Sequence, residues 1–298
     1  MKLKDLVAHA IDKNKFKNLN GYVDFCTIYL EYISEHLQAT IVSQNENHYR
    51  FYQYDKTGNF QITRPINSNL MYDTKNFEKA GKEFLKLLKH VKDVDKDDVK
   101  SRMILNNATY TIQQSIGAAL DGLTAGKSNT ARKLNGDLFE YFIRLLLNEI
   151  GIDAKAGVVQ VPVIVDGIEE FKMSYQHDLI IEKDGEVKVI GSIKTSSKDR
   201  IDKIFIDKFL YNRLTETATP HIAIFLNDVQ RKNTKKENEY GINSTFLPGH
   251  FKGYTVKLNP LDGVYYCDIR PNMKTEKILK DHIKTFDHLL CEDIWKFV

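Results

Sequence analysis

Gly191-Ser192-Ile193-Lys194-Thr195-Ser196-Ser197-Lys198-Asp199-Arg200, with Asp207 seven residues further on, is the stretch on which the fold turns. It closes an apolar, strand-like segment on a lysine. It then opens a helix-like one, 198–215, with Lys-Asp-Arg and a carboxylate at its front. Upstream, Leu179-Ile180-Ile181 and Val187-Lys188-Val189-Ile190 flank Asp184-Gly185, the pattern of two strands joined by a tight turn. Asp178 heads the first of those strands, and pairing about the turn brings it close to Lys194 across the ladder. Asp207 lies about two to three turns into the helix, from where it can point back toward the strand ends.

Outward from this hairpin the elements alternate. Leu138, Phe139, Phe142, Ile143, Leu146 and Ile150 mark one apolar helical face over 135–150, with Gly151 as its stop. A β-branched strand follows at 158–165, and Asp166-Gly167 signals a hairpin turn. After the helix, His221-Ile222-Ala223-Ile224-Phe225-Leu226 is short and continuously apolar, as a buried strand should be. Helix, three strands, helix, strand predicts an α/β core with a mixed sheet. A polar loop at 227–243, a further hairpin near 254–269 and a C-terminal helix complete this part.

The first third reads as mainly helical with one hairpin. Tyr22, Phe25, Ile28, Tyr29 and Ile33 recur at helical spacing, and so do Phe84, Leu87, Leu88 and Val91. The hairpin is predicted at 48–63, turning at Lys56-Thr57-Gly58-Asn59. A mixed-charge run at 93–100 reads as a solvated linker or helix start. A helix at 105–123 carries the small residues Gly117, Ala118 and Ala119 for close packing. The expected division is a mainly helical N-terminal region, 1–104, and a catalytic domain, 105–298.

The composition, 42% hydrophobic and 28% charged, is that of a folded globular chain. No apolar run approaches the ~20 residues that cross a bilayer. The first residues lack a signal-peptide pattern, so a cytoplasmic protein is expected. Three dispersed cysteines indicate neither a disulfide framework nor a zinc site. Nine histidines without metal-binding spacing argue against a zinc hydrolase. Gly126-Lys127-Ser128 resembles the end of a phosphate-binding loop, but Asp121 stands where its first glycine belongs and a helix leads in. ATP binding is therefore not expected. The net charge of +3 is too small to argue for nucleic acid by itself, though a basic cleft would not show in it. Arg231, Lys232, Lys235 and Lys236 read as a solvated basic loop, with phosphate contact as the alternative.

Hydrolysis of a phosphodiester needs a divalent ion to offset phosphoryl charge and to activate water. Mg²⁺ takes oxygen ligands and needs only one or two carboxylates from the protein. A nearby lysine can orient the water and stabilise developing charge. Asp178 and Asp207 as metal ligands, with Lys194, supply that inventory. Taken singly, each has an ordinary structural reading as a turn, cap or surface residue; the joint spacing favours a site.

In these residues the segment resembles the PD-(D/E)XK nuclease superfamily, and within it the type II restriction endonucleases of the EcoRII and CCGG-cutting branch. In that branch a serine replaces the acid two residues before the lysine, and the carboxylate comes from the next helix. Here Ser192 and Asp207 occupy those positions. The branch reads C·G pairs with a basic-acidic-arginine triplet, matched by Lys198, Asp199 and Arg200. It also carries a helix glutamate shortly after a glycine, matched by Gly136 and Glu140, which would orient the attacking water or a second ion. Two positions depart: His177 stands where proline is common, and Asp207 is one methylene shorter than the usual glutamate, with Asp202 as an alternative. The resemblance covers about a third of the chain. It implies a restriction-endonuclease-like core, the catalytic set Asp178, Lys194, Asp207 and Glu140, Mg²⁺ as cofactor and double-stranded DNA as partner. It also implies a homodimer, or a tetramer, cutting a palindrome containing CC/GG. The alternatives are a structure-specific repair nuclease and a non-catalytic DNA-binding module.

Overall fold

The computed structural model describes residues 1–54, 62–124, 126–198, 200–236 and 239–298. The predicted turn at Lys56-Thr57-Gly58-Asn59 and the central Asp199 of the triplet lie outside the described residues.

The chain begins with α1 (Leu3–Ile11) and α2 (Leu19–His36). A small antiparallel sheet follows, ordered β1-β2-β3, from β1 (Ala39–Val42), β2 (Tyr49–Gln53) and β3 (Ile66–Asn67). The predicted hairpin corresponds to β2 and its returning chain, and β1 is an additional strand. Next come α3 (Thr74–Leu88) and α4 (Val99–Leu120), the latter capped by Asp98, whose carboxylate accepts from Ser101 N–H at 3.0 Å. The mixed-charge run thus ends as a helix start.

Helix α5 (Ser128–Glu149) buries Leu138, Phe139, Phe142, Ile143 and Leu146, the face its spacing predicts. The six-stranded sheet is ordered β11-β10-β7-β6-β5-β4. Its strands are β4 (Ala154–Val165), β5 (Ile168–Lys183), β6 (Glu186–Ser196), β7 (His221–Asn227), β10 (Gly263–Tyr266) and β11 (Ile283–Thr285). β4, β5 and β6 are antiparallel neighbours, whereas β6, β7, β10 and β11 run parallel, so the sheet is mixed as expected. Both hairpin turns are tight because Asp166-Gly167 and Asp184-Gly185 adopt positive φ, 52° and 80°, then 55° and 79°.

α6 (Ile201–Thr215) lies on the face opposite α5. It starts three residues later than predicted, so Lys198 and Arg200 belong to the turn before it. β7 shows how the two faces are filled. Ile222, Ile224 and Leu226 join the α4–α5 side, while Ala223 and Phe225 join the other.

Two expectations fail. The loop at 227–243 is a hairpin, β8 (Val229–Asn233) with β9 (Tyr240–Ser244). The hairpin near 254–269 is absent: Pro248 opens α7 (Pro248–Lys257), and β10 pairs in parallel with β7 and β11. The C-terminal segment carries α8 (Pro271–Thr275) and α9 (Lys277–His282) before β11. The expected C-terminal helix follows β11 as one continuous helical run, Phe286–His288, the π-helical Leu289–Asp293 and Ile294–Phe297.

The division at 104/105 falls inside α4, which is buried from Leu105 to Leu120. One hydrophobic cluster runs from Leu6 through α4 and α5 to Ile294 and crosses that boundary. Cys26, Cys267 and Cys291 are free and buried. Among the described residues no helix is long and apolar enough to cross a membrane.

Candidate active site

The β5–β6 ladder carries a bulge between Ile181 and Glu182 and ends with Leu179 opposite Gly191. Asp178 is the next residue, where β5 begins to part from β6. Its Oδ2 accepts the Ile193 N–H at 2.9 Å and the Lys194 ammonium at 2.5 Å. The same ammonium donates to Glu140 Oε1 of α5 at 3.1 Å. One helical turn beyond Glu140, Arg144 donates to the Asp178 carbonyl at 2.7 Å. Three elements therefore converge on one lysine held between two carboxylates.

The electrostatics follow from that geometry. Burial, then the nearby charge of Asp178, raises the Glu140 carboxyl above its ordinary range, and Lys194 opposes the shift. All three side chains are partly buried, between 16% and 30% exposed; Lys194 and Glu140 line the adjoining cleft, and Asp178 meets it through its bond to Lys194.

That cleft, about 940 Å³, opens at the C-terminal ends of β6 and β7. It is lined by Arg64, Arg132, Lys133, Lys194, Lys198, Arg200 and Arg231 against Asp121, Asp137 and Glu140. Asp121 neutralises Arg64, with guanidinium bonds of 2.9 Å to each of its carboxylate oxygens, and Asp137 is taken by Lys13. Arg132, Lys133, Lys198, Arg200 and Arg231 have no ion-pair partner among the described residues. The surplus is positive, which a net charge of +3 did not reveal.

Asp207 is placed differently from its expectation. Lys203, one turn earlier on α6, captures its carboxylate, and its charge acts on His177 and Tyr175. It is not bonded to Asp178, Lys194 or Glu140, and it does not line the cleft. Asp202 is likewise elsewhere, 3.3 Å from His250. Lys198 and Arg200 do reach the cleft and are exposed. The sequence reading overlooked Arg64, Arg132, Lys133, Gln230 and Asn233, and took Arg231 for a loop residue. Val229 followed by the polar Gln230, and Tyr240 and Ile242 separated by Gly241, with polar residues between the two runs, was a legible hairpin signal.

One residue before Asp178, His177 is buried near His221 of β7, with ring centroids 6.5 Å apart. Burial lowers both, His221 to about 4. Above the unfolded value of 6.5 the imidazole is neutral folded and unfolded, and it contributes no pH dependence. As pH falls from 6.5 to 4 only the unfolded chain takes the proton, so stability is lost, by at most about 3 kcal/mol. Buried Asp228, raised to about 6, acts in the opposite sense over much the same interval. His221→Gln should therefore lose less stability than the parent chain between about pH 7 and about pH 4.5, measured by urea unfolding. Equal losses in the two chains would contradict this.

The fold is that of a restriction endonuclease: a mixed central sheet flanked by helices, with the basic cleft at the parallel strand ends. The crystal structure of Type IIP restriction endonuclease Kpn2I is similar to it with a TM-score of 0.72, covering 99% of this chain and 97% of that one at 17% identity. No protein-family model and no curated protein sequence matches the chain.

Proposed function

We propose that this chain is a type II site-specific deoxyribonuclease that makes Mg²⁺-dependent double-strand cuts in DNA at a palindrome containing CC/GG. The observation that carries the reading is Lys194 held between Asp178 and Glu140 in a basic cleft on a restriction-endonuclease fold.

The donor set fits the ion. Asp178 and Glu140 offer hard oxygens only, and among the described residues no cluster of three or more His, Cys, Asp or Glu offers a fuller cage. One or two carboxylates suit Mg²⁺, which keeps several waters and takes substrate phosphate oxygens. When bound, the ion offsets phosphoryl charge and lowers the pKa of the attacking water. Asp178 and Glu140, which share Lys194, would hold the ion, and Asp207 would have to release Lys203 to join them. Lys194 is the donor for charge developing on the phosphate, and Glu140 orients the attacking water. Lys198 and Arg200 donate to guanine O6 and N7, and Asp199 accepts from cytosine N4. Two copies related by a two-fold axis place two such sites on a palindrome, which makes a homodimer, or a tetramer, the working form in the cytoplasm.

The test incubates phage DNA with the purified chain in Mg²⁺ or in EDTA, alongside Asp178→Ala. Discrete fragments only with Mg²⁺ and the parent chain, with ends that map to CC/GG, are expected. DNA that is bound yet stays intact in Mg²⁺ would overturn the nuclease reading.

A further inference from the structure

Resting on that reading of the cleft, we propose that hairpin β8–β9 is a second base-reading element, whose Gln230 reads an adenine flanking the C·G pairs. β7 is the parallel neighbour of β6, with Phe225 opposite Lys194 and Asn227 opposite Ser196. The hairpin leaves the end of β7, so Gln230 enters the cleft that holds Lys194, Lys198 and Arg200. Its carboxamide has no hydrogen-bond partner among the described residues. A free carboxamide presents one acceptor beside its donors, the complement of adenine N7 and N6 in the major groove. A neutral amide is a poor choice for phosphate, whereas Arg231 and Lys232 beside it are suited to the backbone. A two-stranded ribbon is also narrow enough for that groove.

The hairpin is held rigidly, as a reader requires. Val229 and Ile242 pack on Tyr49, Phe51 and Ile62 of the N-terminal sheet region. Asn45 extends that sheet onto β9: its amide donates to the Ile242 carbonyl and its oxygen accepts the Ile242 N–H, both at 2.9 Å. Arg231 donates to the Ile62 carbonyl at 2.9 Å and lies 5.4 Å from the Tyr240 ring. At the base, Thr245 N–H donates to the Asp228 carbonyl at 2.5 Å, and the Thr245 and Ser197 hydroxyls are 3.2 Å apart. That last bond ties the hairpin to the segment carrying Lys198 and Arg200. The N-terminal sheet thereby gains a role, as the buttress of the reading hairpin.

The test selects bound duplexes from a pool with a CC/GG core and random flanks, for the parent chain, Gln230→Ala and Gln230→Glu. The parent should enrich adenine at a flanking position. Gln230→Ala should flatten that position alone and weaken binding to the best site by about 5- to 100-fold. Gln230→Glu should move the preference toward cytosine, whose N4 donates to a carboxylate, a change that mere loosening of the hairpin would not produce. A parent pool enriched in CC/GG but unchanged in either variant, or without flanking preference, would overturn this inference alone. A parent chain that selects no DNA would overturn it together with the nuclease reading.

Discussion

Lys194→Ala, or Asp178→Asn, is expected to cut single-turnover DNA cleavage by on the order of 10³-fold or more, the scale set by removing a group that stabilises developing charge. Among the described residues Lys194 is the one cation ion-paired with both the Asp178 and the Glu140 carboxylates. Its removal leaves two acids facing each other, which pushes the already raised Glu140 carboxyl higher. Asp178→Asn keeps an oxygen for the Ile193 N–H, so the ladder end should stay formed while the charge is lost. DNA affinity should persist in both variants, because Arg132, Lys198, Arg200 and Arg231 remain in the cleft. Gel-shift binding beside cleavage separates the two roles. A variant that binds normally and still cleaves within about tenfold of the parent would remove Lys194 from the chemistry.

Asp121→Ala should destabilise the fold by about 3 kcal/mol, read from urea midpoints. Burial alone would lower the Arg64 guanidinium, and the Asp121 carboxylate more than offsets this, leaving it raised. Asp121 also accepts the Arg64 backbone N–H at 2.7 Å, and so clasps the returning chain of the N-terminal sheet to the end of α4. Without it a guanidinium only 20% exposed loses its counter-ion. The double variant Arg64→Met, Asp121→Ala should recover most of the loss, since replacing both partners removes the uncompensated charge. A double variant as unstable as the sum of the singles would show that the pair does not act as a unit.

The pairing of Asp178 with Lys194 was legible because a two-residue turn joins their strands, and the φ values of Asp184 and Gly185 are those the residues prefer. The bulge at Ile181 was not legible, yet it shifts the register and sets which residue follows the last pair. Glu140 entered through the resemblance, and the structure adds its bond to Lys194. Asp207 illustrates the opposite outcome. Its helical position was correct, but Lys203 lies on the same helix one turn away, and a local partner needs no chain closure to be reached.

The sequence by itself determined what is set by neighbours along the chain: the helical faces of α2 and α5, the two tight turns, the apolar β7 and the hairpin carrying Asp178 and Lys194. Only the tertiary structure decided what is set by packing between distant segments. Arg64 and the β8–β9 hairpin share one cleft because Tyr49, Phe51, Ile62, Val229 and Ile242 bury a common apolar surface. Hydrophobic burial rewards area and not order along the chain, so no local pattern records which segments meet.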